Sequence, residues 1–116
     1  MALVALLAAV HIAWFHSPSG NIQCEVASHD VRGTYASCQT FRPLQTATLR
    51  ANGRTTACTH GACPVGNGPE NAITLAYGRS IRVGVFRCTS RVTGVRCVVI
   101  ATGHGFTIAR KGVKTF

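Results

Sequence analysis

The sequence predicts an all-β fold: a small antiparallel sandwich or partly open barrel, built from hairpins and stapled by disulfides. Three observations predict it. Beyond residue 17 no stretch keeps a helical hydrophobic period for long. Short runs rich in Val, Ile, Thr and Phe instead alternate with Gly, Asn, Pro and Ser. Six cysteines stand in a chain of 116 residues, an even count that points to a disulfide framework in an oxidising compartment. A domain this small buries only roughly two-thirds of its unfolded surface, so covalent links matter to its stability.

The chain divides into an apolar leader, residues 1–13, and a single β domain, residues 14–116. The run ALVALLAAV (2–10) is uncharged and too short for a bilayer span, which needs ~20 apolar residues. It fits the apolar region of a secretory signal. No Lys or Arg precedes it, and Ala9 and Ala13 offer exits without a clean A-x-A. Export followed by removal of this leader leaves no transmembrane span in the mature chain.

The expected strands are 21–27, 31–37, 46–51, 54–59, 72–77, 81–88, 95–101 and 106–110. Residues 61–72, GACPVGNGPENA, form the longest expected loop. Three hairpins can be set in register. Asn52-Gly53 suits a two-residue type I′ turn, which places Ala51 opposite Arg54 and Leu49 opposite Thr56. A turn over Arg91–Gly94 places Ser90 opposite Val95, Phe86 opposite Val99 and Gly84 opposite Ala101. It also sets Cys88 directly opposite Cys97, at the separation a disulfide needs. A third turn, Thr102–Gly105, places Ala101 opposite Phe106 and Val99 opposite Ile108, with His104 at its apex. Phe86, Cys88, Cys97, Val99, Phe106 and Ile108 then share one face, with Gly84 leaving room for Phe106.

Lys and Arg outnumber Asp and Glu by twelve to three, and the net charge is +9. Such a field favours anionic partners. The expected contact surface is Arg79, Arg82, Arg87, Arg91 and Arg96, joined by His104. Most of these lie on or beside the hairpin face opposite to the disulfide; Arg82 has the disulfide-side parity. Nucleic acid is disfavoured: a stacking platform needs exposed aromatics among the cations, and only Phe41-Arg42 and Phe86-Arg87 are adjacent in sequence. An anionic envelope polymer or a surface protein fits better.

Four pieces of the chain, FHSPSGNIQC (15–24), LAYG (75–78), FRCTSRVTGVRC (86–97) and TGHGFTIAR (102–110), together resemble a family of small secreted bacterial domains, common in actinobacteria, with no assigned function. The resemblance runs over about residues 15–112. It implies a secreted, disulfide-bonded β domain and brings no activity with it. Gly33 stands where the family usually has cysteine, and Ala109 where it usually has serine. If the cysteine missing at 33 normally pairs with Cys24, Cys63 becomes the substitute partner. That resemblance implies Cys38–Cys58 with Cys24–Cys63. Sequence proximity instead gives Cys24–Cys38 with Cys58–Cys63. The former is preferred here.

No catalytic set stands out. A histidine base needs an acid to orient it, and the whole chain offers only Glu25, Asp30 and Glu70. His104 with Arg110 and a carboxylate is the rival reading, a small hydrolase or nuclease. A second rival is an inhibitor or antimicrobial that uses loop 61–70. CTHGAC (58–63) lacks the second half that a structural zinc site repeats, so no metal and no cofactor is expected. The expectation is therefore a non-catalytic, secreted binding module.

Overall fold

A computed structural model describes residues 11–116. Strands form throughout, with no helix among the described residues: β1 (Ile12–His16), β2 (Ile22–Asp30), β3 (Gly33–Phe41), β4 (Leu44–Arg50), β5 (Thr55–Cys58), β6 (Ile73–Thr74), β7 (Ser80–Val83), β8 (Phe86–Arg91), β9 (Gly94–Val99), β10 (Gly105–Ala109) and β11 (Gly112–Thr115). The first sheet has the order β5-β4-β3-β2-β1-β6, the second β11-β10-β9-β8-β7. All neighbours are antiparallel except β1 and β6. The two sheets stack as a sandwich and do not close into a barrel.

The strands follow from period-2 patterning. Along β3 and β4 every second side chain is buried: Ala36, Cys38 and Thr40, then Gln45, Ala47 and Leu49. Strands patterned this way bury one face and leave the other polar. Phe15, Val26 and Leu49 from the first sheet meet Phe86, Phe106, Val95 and Ile108 from the second, all at most 1% exposed. Burying a Phe side chain contributes about 1.5–3 kcal/mol. Two disulfides lie back to back in this layer, with Cys38 Sγ 3.8 Å from Cys97 Sγ. One buried amide ties the sheets together: Gln45 Nε2 donates to Ala109 O at 2.8 Å and to Thr40 Oγ1 at 3.0 Å.

Several expectations need correction. Ile12 and Ala13, the last described residues of the expected leader, pair with Ala27 and Val26 in β1. Residues 1–10, the bulk of the expected leader, lie outside the described residues. The expected strand 81–88 folds back on itself at Gly84-Val85, so that Val83 pairs with Phe86. The space at Gly84 is filled by the Ser28 side chain, whose Oγ would lie 2.1 Å from an added Cβ, and not by Phe106.

The Asn52-Gly53 hairpin is shifted by one residue: Leu49 faces Thr55 and Thr48 faces Thr56. Only Gly53 has positive φ (90°), whereas a type I′ turn needs two such residues. Asn52 Oδ1 instead accepts from Arg54 N at 2.9 Å, and Gly53 N donates to Arg50 O at 2.9 Å. The loop is thus Ala51–Gly53, a turn followed by a glycine bulge.

The β8–β9 register is as expected, with Cys88 opposite Cys97 and Phe86 opposite Val99. The expected pairing of Gly84 with Ala101 does not form, because β8 starts at Phe86. The β9–β10 register differs by four: Phe106 faces Cys97 and Ile108 faces Val95. An even shift keeps the same side chains inward, so Phe86, Cys88, Cys97, Val99, Phe106 and Ile108 are all buried.

The disulfides are Cys24–Cys38, Cys58–Cys63 and Cys88–Cys97, which overturns Cys38–Cys58 and Cys24–Cys63. Cys24 and Cys38 stand directly opposite each other on β2 and β3. Cys38 and Cys58 are separated by β4, two inter-strand spacings or about 9.5 Å, which is too far for a bridge.

Candidate functional site

The second sheet turns a cationic face to solvent. The β7–β8 fold at Gly84-Val85 brings Arg82 directly opposite Arg87, both exposed. This corrects the parity expected for Arg82: it points outward with Arg87, away from the Cys88–Cys97 side. The neighbouring row runs Ser80, Thr89, Arg96, Thr107 and Lys114 across all five strands. Ser80 and Thr89 hydroxyls bond each other at 2.7 Å. Arg91 closes the face at the end of β8, and Arg79 stands exposed just before β7.

This charge is uncompensated. Residues 71–116 hold six arginines and two lysines but no acidic residue. Among the described residues the one ion pair is Arg32–Asp30, 3.4 Å apart and at the far end of the first sheet. Directly opposed like charges destabilise a sheet, so the Arg82–Arg87 pair costs stability wherever no anion offsets it.

Arg96 lies over the Phe116 ring, 4.3 Å from its centroid, and Phe116 is 40% exposed. Gly105 exchanges both backbone hydrogen bonds with Phe116, each 3.0 Å. One aromatic therefore does stand among the cations, brought there from twenty positions along the chain, where sequence adjacency could not show it.

At one end of this face, the turns Val92-Thr93 and Arg110-Lys111 border a cavity of about 410 Å³ with Asn21 and Tyr77. Asn21 is held by Arg42: its Nδ2 donates to Arg42 O at 3.1 Å, and its Oδ1 accepts from Arg42 N at 2.9 Å. The cavity adds two further cations, Arg110 and Lys111, to the same end of the sheet.

His104 is not at a loop apex. The loop is Ile100–Gly103, and His104 stands at its base with its carbonyl accepting from Val99 N at 2.8 Å. Its side chain packs over the Gly53 turn of the first sheet, where an added Cβ would come within 3.1 Å of His104 Cβ. The two flanking glycines serve different ends. Gly103 takes φ 77°; Gly105 lacks positive φ, but a Cβ there would lie 1.9 Å from Cys97 O. His104 and Arg110 flank opposite ends of β10, about 20 Å apart along an extended chain. Among the described residues, no carboxylate is hydrogen-bonded to the His104 ring.

The three carboxylates lie elsewhere. Asp30 caps the β2–β3 turn through Arg32, and Glu70 is exposed in the long loop. Glu25 lies on the outer face of the first sheet between two aromatics. Trp14 Nε1 donates to its Oε1 at 3.1 Å, and the Tyr35 hydroxyl donates to its Oε2. Burial, aided by that hydrogen bond, pushes the Tyr35 pKa up to about 12. A leader that runs to Ala13 leaves no strand to carry Trp14 to Glu25; the alternation in IAWFH is the signal for β1. The sulfurs of Cys24, Cys38 and Cys97 lie within 4.8 Å of one another, but each is held in a disulfide. Cys58 and Cys63 are likewise joined to each other.

Among the described residues no helix is long and apolar enough to cross a membrane. No curated protein and no solved structure matches the chain. Residues 44–116, which span β4 to the end of the second sheet, match the model of a family described as a family of unknown function, DUF6636. The match covers more than half the sequence, and on that ground the chain is a member of the DUF6636 family.

Proposed function

We propose that the domain is an exported, non-catalytic binding module that holds an anionic polymer of the cell envelope on the outer face of its second sheet. The directly opposed Arg82 and Arg87 carry this reading. A like-charged pair on an open face, in a segment without one acid, is a cost to the free protein that an anionic ligand removes. Arg96, Lys114 and Arg91 extend the field along the sheet, and Arg110 and Lys111 continue it at one end. Val85, Val98 and Phe116 place apolar surface beside these cations, so a surface protein that meets both is the second reading.

Export is supported by three disulfides, which persist in oxidising compartments. The apolar run ahead of β1 supplies the matching expectation of a signal.

The test is a titration of the oxidised protein with a polyphosphate chain at several salt concentrations. Affinity is expected to fall as salt rises, because screening shortens from ~10 Å at 0.1 M to ~3 Å at 1 M. The double variant Arg87→Glu with Arg96→Glu is expected to lose at least about tenfold in affinity, or ~1.4 kcal/mol. Binding that ignores salt, or that survives both reversals, contradicts the proposal.

A further inference from the structure

The outer face of the first sheet differs in chemistry from the cationic face. Register sets Trp14, Glu25, Ser37, Thr48 and Thr56 in one unbroken row across five strands. A parallel row reads His16, Gln23, Gln39 and Thr46. Neighbouring strands lie about 4.8 Å apart, so the first row is about 19 Å long. The long loop stands over these rows as a wall. It is fastened at its base by Cys58–Cys63 and at its crest by Gln39, whose Oε1 accepts from Gly66 N at 2.9 Å while its Nε2 donates to Gly66 O.

Sheet and wall enclose a groove of about 350 Å³, within the range of small-ligand sites. Trp14, Tyr35, Glu25, Ser37, Thr48 and Gln39 line it. Hydroxyls and amides there both donate and accept. Ser37 and Thr48 hydroxyls are already aligned, bonding each other at 2.9 Å. Glu25 is the one charged group lining the groove, and its two oxygens are fixed by Trp14 and Tyr35, so their remaining lone pairs point at a defined place.

From this arrangement we infer that the groove binds a neutral oligosaccharide. A sugar ring has an apolar C–H face for an aromatic side chain and a rim of hydroxyls for Glu25, Ser37, Thr48 and Gln39. Within the lining Glu25 disfavours an anion; Arg32 stands outside it, 5.7 Å from the Trp14 ring centroid. A peptide would need apolar side-chain pockets, and the rows contain none. The pinned wall and the paired aromatics leave little to be ordered on binding. The inference is independent of the polyanion reading, because the two surfaces lie on opposite sides of the sandwich.

The test uses Trp14, the only tryptophan in the chain, as its own reporter. The oxidised protein is titrated with cellotetraose, chitotetraose and mannotetraose, followed by tryptophan emission and calorimetry. At least one is expected to give a saturable change with a dissociation constant of about 1 mM or tighter. Glu25→Gln and Tyr35→Phe, each checked for native far-UV spectrum, are expected to weaken it at least about tenfold. Arg87→Glu is expected to leave it unchanged. No saturable change with any of the three, or undiminished affinity in both groove variants, overturns the inference.

Discussion

Replacing Cys24 and Cys38 together by alanine tests how the sandwich is held. The bridge closes a loop of sequence separation 14 between directly opposed residues of β2 and β3. In the chain-entropy account, releasing it frees the unfolded state by about 3.0 kcal/mol. The same relation gives about 2.6 kcal/mol for Cys88–Cys97, separation 9, and about 2.1 kcal/mol for Cys58–Cys63, separation 5. Packing widens these differences. Cys24 and Cys38 are each 1% exposed, and Cys38 Sγ touches Cys97 Sγ. Deleting two buried sulfurs leaves a void worth about 1–3 kcal/mol. The expected loss is then about 4–6 kcal/mol, a large part of the stability of any small domain. Removing Cys58–Cys63, of which Cys63 is buried but neither half joins the packed core cluster, should cost only about 2 kcal/mol. Equilibrium urea unfolding of both double variants measures the difference. If the Cys58–Cys63 variant loses as much as the Cys24–Cys38 variant, or the latter loses under about 1 kcal/mol, the reasoning fails.

Further outcomes follow from single positions. Arg82→Thr is expected to raise stability by about 0.2–1 kcal/mol, by removing a like-charge pair, while weakening polyphosphate binding; thermal unfolding and titration read the two effects. Gly105→Ala should cost more than about 3 kcal/mol or abolish folding, because its Cβ meets backbone at 1.9 Å. Gly103→Ala, with φ 77° but open space around it, should cost only about 1 kcal/mol; urea unfolding ranks the pair. Tyr35 should ionise late in an alkaline absorbance titration, and Tyr35→Phe should remove that late step. The folded state holds the Tyr35 proton more tightly than the unfolded chain. Its contribution is therefore complete below pH 10.0 and is lost as pH climbs towards about 12.

The second sheet was more legible than the first. Cys88 and Cys97 flank a turn symmetrically, so chemistry and register agreed on one pairing. The β9–β10 register was displaced by four, yet parity survived because the side-chain period is two. The single-residue shift at Asn52-Gly53 had no such protection: it moved Thr55 rather than Thr56 opposite Leu49. Arg82 was misplaced because Gly84-Val85 reads as strand until the backbone turns there. Both missed strands, β1 and β11, lie at the ends of the described chain, where β1 merges with an apolar run and β11 with a lysine-bearing tail. The Glu25 cluster went unseen with β1, since it exists only once Trp14 pairs across to β2. The cysteine pairing failed because resemblance compared positions along the chain, whereas the bridge forms between strand neighbours.

The most direct test of the binding proposal is amide chemical-shift mapping of the isotope-labelled, oxidised protein against polyphosphate. The perturbations should gather on Arg82, Arg87, Thr89, Arg96 and Lys114, leaving Glu25, Ser37 and Thr48 unmoved. Perturbations centred on the first sheet instead, or none at saturating polymer, would contradict the account.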